Sequence, residues 1–164
     1  MGDTMSNHER VVIVASVREL MRSVLMRLRI LYLRSVWRHQ LDPTALISYS
    51  AYLDRTNPKS IWIGSYTIVA RGAVVLSHDY TRSVSARTQV GKNCLIGVNA
   101  IIMPGIAIGD EVVVGAGAVV TRDVPSNSLV VGNPAQVVGQ IRTGAYGRIV
   151  EKVCPWPVRS VSEI

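Results

Sequence analysis

Three histidines, His8, His39 and His78, are the side chains whose ordinary pKa suits proton transfer near neutrality. His8 and His39 fall in an arginine-rich N-terminal segment, whereas His78 stands in the middle of the chain, just ahead of Asp79, Tyr80, Arg82 and Arg87. A histidine so placed can take a proton from a hydroxyl as that oxygen attacks a carbonyl carbon. Other chemistries fit the residues less well. A histidine-ligated metal centre needs a cluster of histidines, and this central region has one. A serine hydrolase of the nucleophile-elbow type needs G-x-S-x-G, which is absent. The two cysteines, Cys94 and Cys154, have no C-x-x-C spacing and no neighbouring histidine. They therefore argue against a zinc site or a disulfide framework and towards a reducing compartment.

The elements that must hold His78 are visible as a period of six. Ile63, Val69 and Val75 form one series; Val90, Ile96, Ile102, Ile108, Val114 and Val120 form a second. Glycine often follows, at 64, 91, 97, 109 and 115, and the fourth residue after each is small or apolar: Thr67, Ala73, Cys94, Ala100, Val112 and Ala118. Each hexapeptide is expected to be a short strand and a corner, with Val or Ile pointing inward on its equivalents in neighbouring coils. A β-sandwich would alternate by two instead. The step breaks between Val75 and Val90, fifteen residues apart where a multiple of six predicts twelve. Three extra residues are expected to leave the stack as a loop around 79–88, directly after His78, and loops on rigid scaffolds commonly carry function. Ile47 and Leu53 keep the step and are expected to begin an irregular coil before Pro58.

On the N-terminal side, residues 10–40 are expected to be helical. Val17, Leu20, Val24, Leu28 and Leu31 follow the 3.6 period, with Arg18, Arg22 and Arg29 off that face. The favoured expectation is that this stripe packs on the repeat or on a neighbouring subunit; the alternative is peripheral contact with anionic lipid. After Pro134 the repeat ends, and the remainder reads as loops with one short helix near Ile149. The expected organisation is a helical segment over 1–44, a repeat domain over 45–140 and a tail over 141–164.

Composition agrees with a packed protein: 48% of residues are hydrophobic and 18% charged, with no phenylalanine. The formal charge of +7 invites a nucleic-acid reading. The basic residues are scattered and no aromatic platform accompanies them, so nucleic-acid binding is not expected. No signal-peptide pattern or uninterrupted membrane-length apolar run is present, and a cytoplasmic location is the expectation.

The stretch 114–138, VGAGAVVTRDVPSNSLVVGNPAQVV, closely resembles the acetyl-CoA-dependent hexapeptide O-acetyltransferases, the group of maltose, galactoside and serine acetyltransferases. IWIG, LSHDY and CLIGVNAIIMPGIAIGD resemble the branch found in polysaccharide biosynthesis. The likeness covers roughly residues 40–140. It implies a mainly β fold, a left-handed parallel β-helix forming a triangular prism with three hexapeptides per coil, at 63–80, 90–107 and 108–125. It also implies a homotrimer with sites between adjacent prisms, acetyl-CoA as donor and a sugar or glycan hydroxyl as acceptor, with no metal. The resemblance casts His78 as general base. Asp79 could orient it, although adjacent residues of an extended strand point in opposite directions. Tyr80, Arg82 and Arg87 either line the acceptor cleft or form a solvated loop; Asn99 either contacts a substrate or caps a corner. Gly97, Val98 and Ala116 match positions along the pantetheine arm, and Thr121 and Arg122 match the pair that meets the nucleotide end. Relatives carry basic residues where this chain has Gln136 and Gly139, so either Arg142 substitutes or that end is held more weakly. The alternative is a trimeric β-helix scaffold without catalysis.

Overall fold

Strands of two or three residues cannot hold together as isolated hairpins, so each must be stacked on its equivalent in the next coil. The computed structural model, which describes residue 21 and residues 23–152, shows that arrangement. One parallel sheet joins Gln40–Leu41, Ile61–Ile63, Thr88–Val90 and Ala107–Ile108. A second joins Leu46–Ile47, Ile68–Val69, Leu95–Ile96, Val113–Val114 and Ser128–Val131, and a third joins Tyr52–Leu53, Val74–Val75, Ile101–Ile102 and Val119–Val120. The molecule is a left-handed parallel β-helix with one N-terminal helix.

Register makes the core. Leu41, Ile63, Val90 and Ile108 pair in one column. Ile47, Val69, Ile96, Val114 and Val130 form the next, and Leu53, Val75, Ile102 and Val120 the third. The nine Val and Ile positions of the sequence period are all at most 3% exposed, and the six small fourth-position residues are fully buried. Each such aliphatic side chain contributes about 1.5–3 kcal/mol by burial. The spacing between coils leaves no room for a larger corner: a Cβ on Gly97 would stand 2.6 Å from the Val114 carbonyl oxygen and 2.7 Å from the Ala116 nitrogen.

Four features differ from the sequence expectations. The first coil starts earlier than expected, at Gln40, because Leu41 supplies the inward residue one step before Ile47. No further prism strand lies between Val74–Val75 and Thr88–Val90: Val75 ends the third strand of one coil and Val90 the first of the next, where a single step of six would serve. Nine residues rather than three are therefore extruded, and His78–Asp79 and Val84–Ser85 pair antiparallel as a small hairpin. The C-terminal part is mostly strand rather than loop, and its one short helical turn is the 3-10 segment Ala145–Gly147. Gln136–Thr143 folds back antiparallel on Ser128–Val131, and Ile149–Lys152 adds antiparallel to it. The turn between them places Tyr146 and Gly147 at positive φ, and the β-branched Val137, Val138, Ile141, Ile149 and Val150 favour extended backbone.

The helix, which ends at residue 35, is also rotated from expectation. Ile30 and Leu33 are buried on the first coil, with Trp37 packed beside them, whereas Val24, Leu28 and Leu31 face outward. The helix carries two apolar faces, and the prism takes the one formed by Ile30, Leu33 and Trp37. His8, Val17, Leu20, Cys154 and Trp156 lie outside the described residues.

Candidate active site

Each coil turns three edges, one after each sheet. The third edge, between the third sheet and the first, is where the chain departs from its period in successive coils. Ten residues separate Leu53 from Ile63 and fifteen separate Val75 from Val90. Leu53 and Val75 are register partners, so the two departures are stacked. Their first residues meet: Asp54 directly follows Leu53, and His78 lies three after Val75.

The Asp54 side chain is fully buried and gathers donors from the next coil. Its Oδ2 accepts from the backbone N–H groups of Ser77 at 3.0 Å and His78 at 3.1 Å, and lies 2.5 Å from Nδ1 of His78. Its Oδ1 accepts from the N–H of Thr56 at 2.9 Å. Burial alone would push this carboxyl's pKa up. The His78 ring and the N–H groups of Thr56 and Ser77 outweigh it and hold the group below the usual carboxylate range. Asp54 is therefore ionised and can only accept, so Nδ1 of His78 is the donor, and in the neutral ring the lone pair is on Nε2. The imidazole side chain is 34% exposed. This is a fixed, oriented base with one face open to solvent.

The surroundings lock it. The Ala86 N–H donates to the Ser77 carbonyl at 2.9 Å and closes the base of the hairpin. Asn57 bridges the two departures, donating from Nδ2 to Ser85 Oγ at 3.0 Å while its carbonyl accepts from Ser77 Oγ at 3.0 Å. From the helix side, His39 packs behind Asp54, with Nε2 3.1 Å from the Asp54 carbonyl oxygen. Burial lowers the pKa of His39 despite that carbonyl and the Leu33 carbonyl, so it is held neutral. The sign of the linkage follows: as pH falls below the ordinary histidine value of about 6.5, the unfolded chain takes up a proton that the folded chain refuses. The stability margin of the parent over His39→Gln is expected to shrink between about pH 7.5 and about pH 5.5. Urea unfolding at the two pH values measures it, and a constant margin would contradict a neutral buried ring.

Asp79 does not face His78. Its carboxylate binds Arg82, with Nε at 2.6 Å and the backbone N–H at 3.1 Å, and that pairing lowers its pKa. Adjacent side chains of an extended strand diverge, so the residue beside His78 in sequence is the wrong one to touch its ring. The carboxylate that does so comes from the previous coil. Tyr80 stands fully out at the hairpin tip, and Arg87 stacks over Trp62 at 4.0 Å on the outer side of the first sheet.

Thr121 and Arg122 follow Val120 and so share the third edge with His78; both are exposed. Gly97, Val98, Asn99 and Ala116 lie on the second edge. Val98 and Ala116 are exposed and in register there, and a Cβ on the adjoining Gly117 would meet nothing within 4 Å. That edge thus offers open backbone to a long ligand, while Arg122 supplies an exposed guanidinium suited to phosphate. These residues fit a coenzyme A thioester, but on two edges that one prism holds apart. Asn99 sits at a corner with φ 55°, its N–H on the Arg71 carbonyl and its side-chain oxygen over Gly72, which is a structural corner rather than a contact of His78. Arg142 lies on the C-terminal hairpin and approaches Glu151 at 3.9 Å. Its neighbour Thr143 is tied to Asn93 and Glu111 on the first edge, so the hairpin does not bring Arg142 to Arg122. Cys94 is fully buried, and burial raises its thiol to about 11, which keeps it neutral and inert.

Comparison with known proteins agrees with this fold. Residues 87–122 match the family described as the hexapeptide repeat of succinyl-transferase. YvoF of Bacillus subtilis (strain 168), named for an unproven acetyltransferase activity, is 36% identical over 83 residues, 49% of this chain and 48% of that protein. The chain therefore spans about half the length of that relative. A maltose O-acetyltransferase from Clostridium difficile 630 superposes with a TM-score of 0.51 at 26% identity, over 67% of this chain and 73% of that one. The hexapeptide-repeat acetyltransferase VCA0836 of Vibrio cholerae, solved with acetyl-CoA, shares the fold with a TM-score of 0.51 at 21% identity, over 68% and 75% of the two chains. The buried six-residue period and the prism are thus features this chain shares with hexapeptide-repeat acetyltransferases, to which it is similar over part of its length.

Proposed function

We propose that the chain is an O-acetyltransferase that moves an acetyl group from acetyl-CoA to a hydroxyl of a sugar or glycan intermediate by direct transfer. The observation that carries this reading is the Asp54–His78 pair, an ionised buried carboxylate fixing a half-exposed imidazole with Nε2 free to act. Nε2 of His78 takes the proton of the acceptor hydroxyl while that oxygen bonds to the thioester carbonyl carbon. The carbon–sulfur bond breaks, and the proton passes from the imidazolium to the departing sulfur. Asp54 stabilises the imidazolium and returns the ring to the same tautomer. No acyl-enzyme is needed, which suits a site whose one cysteine among the described residues is buried and neutral.

The sugar hydroxyl is supported by the maltose O-acetyltransferase among the structural relatives, and the donor by the acetyl-CoA complex of VCA0836. The assembly we propose is a homotrimer. Two edges of one prism divide the candidate residues, and a neighbouring copy can set its second edge against the His78 edge.

The experiment is to mix the protein with acetyl-CoA and a panel of mono- and oligosaccharides and to follow free thiol. Release that depends on a particular acceptor is expected, with an acetyl ester on that acceptor by mass spectrometry. No acceptor-dependent release across the panel would favour a scaffold without catalysis.

A further inference from the structure

The N-terminal helix presents to solvent a face that the prism does not use. Val24, Leu25, Leu28, Leu31, Tyr32 and Val36 are all exposed, with Leu25 at 61%, Leu28 at 56% and Leu31 at 59%. At 3.6 residues per turn the first five, which lie in the helix, span about 120° of the circumference, opposite the buried Ile30 and Leu33, and Val36 follows just past its end. The face is apolar up to Ser35 at the last helical position, and charge borders it on both sides. Arg27 and Arg34, two turns apart on one flank, are exposed. Arg29 borders the other, donating to the Ala51 carbonyl at 2.9 Å with its guanidinium over the Tyr49 ring at 5.3 Å.

Two features decide what covers this face. The first is sign: between Glu19 and Asp42 the chain carries five arginines and no acidic residue. A helix built to meet another protein surface usually mixes charges on its rim, and a second copy of this chain, at a formal +7, is a poor partner for an all-positive rim. The second is the aromatic setting. Tyr49 is 86% exposed beside Arg29, and the Tyr32 hydroxyl accepts from Trp37 Nε1 at 2.9 Å. Amphipathic rings and arginines flanking an apolar stripe match the boundary between acyl chains and headgroups, where the stripe is buried and the guanidinium groups reach phosphate. No helix among the described residues is long and apolar enough to cross a membrane.

We infer that the outer face of this helix docks the protein on an anionic lipid surface, with Arg27 and Arg34 on lipid phosphate and the Leu25–Leu28–Leu31 stripe in the acyl boundary. The chain runs on from the helix to His39, whose ring is bonded to the Asp54 backbone, so docked face and His78 pair belong to one packed unit. The inference does not depend on the proposed reaction.

The test uses the full chain and sucrose-loaded vesicles of phosphatidylcholine alone or mixed with phosphatidylglycerol, read by co-sedimentation. The parent is expected to bind the anionic vesicles and to be released by added salt. Arg27→Gln with Arg34→Gln should weaken that binding about ten- to thirtyfold. Leu28→Ser with Leu31→Ser should abolish it; all four side chains are exposed, so folding is retained. Absence of binding to anionic vesicles overturns the inference, as does equal binding to both kinds that ignores the arginine changes. If the parent ignores vesicles and the leucine variant falls to a smaller mass in analytical ultracentrifugation, the face is a contact between copies and lipid is not its partner.

Discussion

His78→Ala is expected to lower kcat by roughly 10²–10⁴-fold, the range that a positioned general base contributes. The KM for acetyl-CoA should change little, because the change removes the base and leaves the donor candidates Gly97, Val98, Ala116, Thr121 and Arg122 in place. Removing the ring leaves the Asp54 carboxylate with its backbone donors from Thr56, Ser77 and His78, so the fold survives the change. The comparison should be made at saturating donor, with an acceptor found in the thiol-release screen. A variant with unchanged kcat would remove His78 from the mechanism, whatever its geometry.

The second large effect comes from Asp54→Asn, and it should appear in both turnover and stability. Every proton directed at the Asp54 carboxylate comes from a donor: Thr56 on one oxygen, and Ser77, the His78 backbone and the His78 ring on the other. An amide placed there sets its own N–H₂ against a donor in either orientation. Charge-assisted hydrogen bonds contribute about 1.5–3 kcal/mol each, so a loss of about 3 kcal/mol of unfolding free energy is expected. With the carboxylate gone, Nδ1 no longer has an obligate acceptor and the imidazolium loses its counter-charge. Turnover should fall on the order of 10²-fold or more. Chemical denaturation and steady-state kinetics on the same preparation separate the two effects. Lost stability with intact kcat would make Asp54 a structural residue alone.

The reach of the sequence is clear in particular residues. Ile63 through Val120 could be read as a stack because a period of six repeats a single local rule: one inward β-branched residue and one tight corner per hexapeptide. Such a rule is satisfied between nearest neighbours, so it is written in the order of the residues. His78 could be picked out for a related reason, since it stands where the rule is interrupted. The start of the prism at Leu41 was within reach by one more step of the same period.

Asp54 was not singled out, although it directly follows the last regular position before Pro58. Its role exists only because Leu53 stacks on Val75, which brings residues more than twenty apart to within a hydrogen bond. Asp79 drew attention by adjacency, yet adjacent side chains on an extended strand point apart, and Arg82 takes it. The helix shows the same division. Its amphipathic period was evident, but with apolar residues on two faces the choice between them rested on which fits the first coil, and Ile30 and Leu33 do. The sequence alone therefore determined the scaffold and its point of interruption, because both follow from local repetition. The partner of His78 and the solvent-facing side of the helix were decided by tertiary structure, because each depends on which distant residues the stacking brings together.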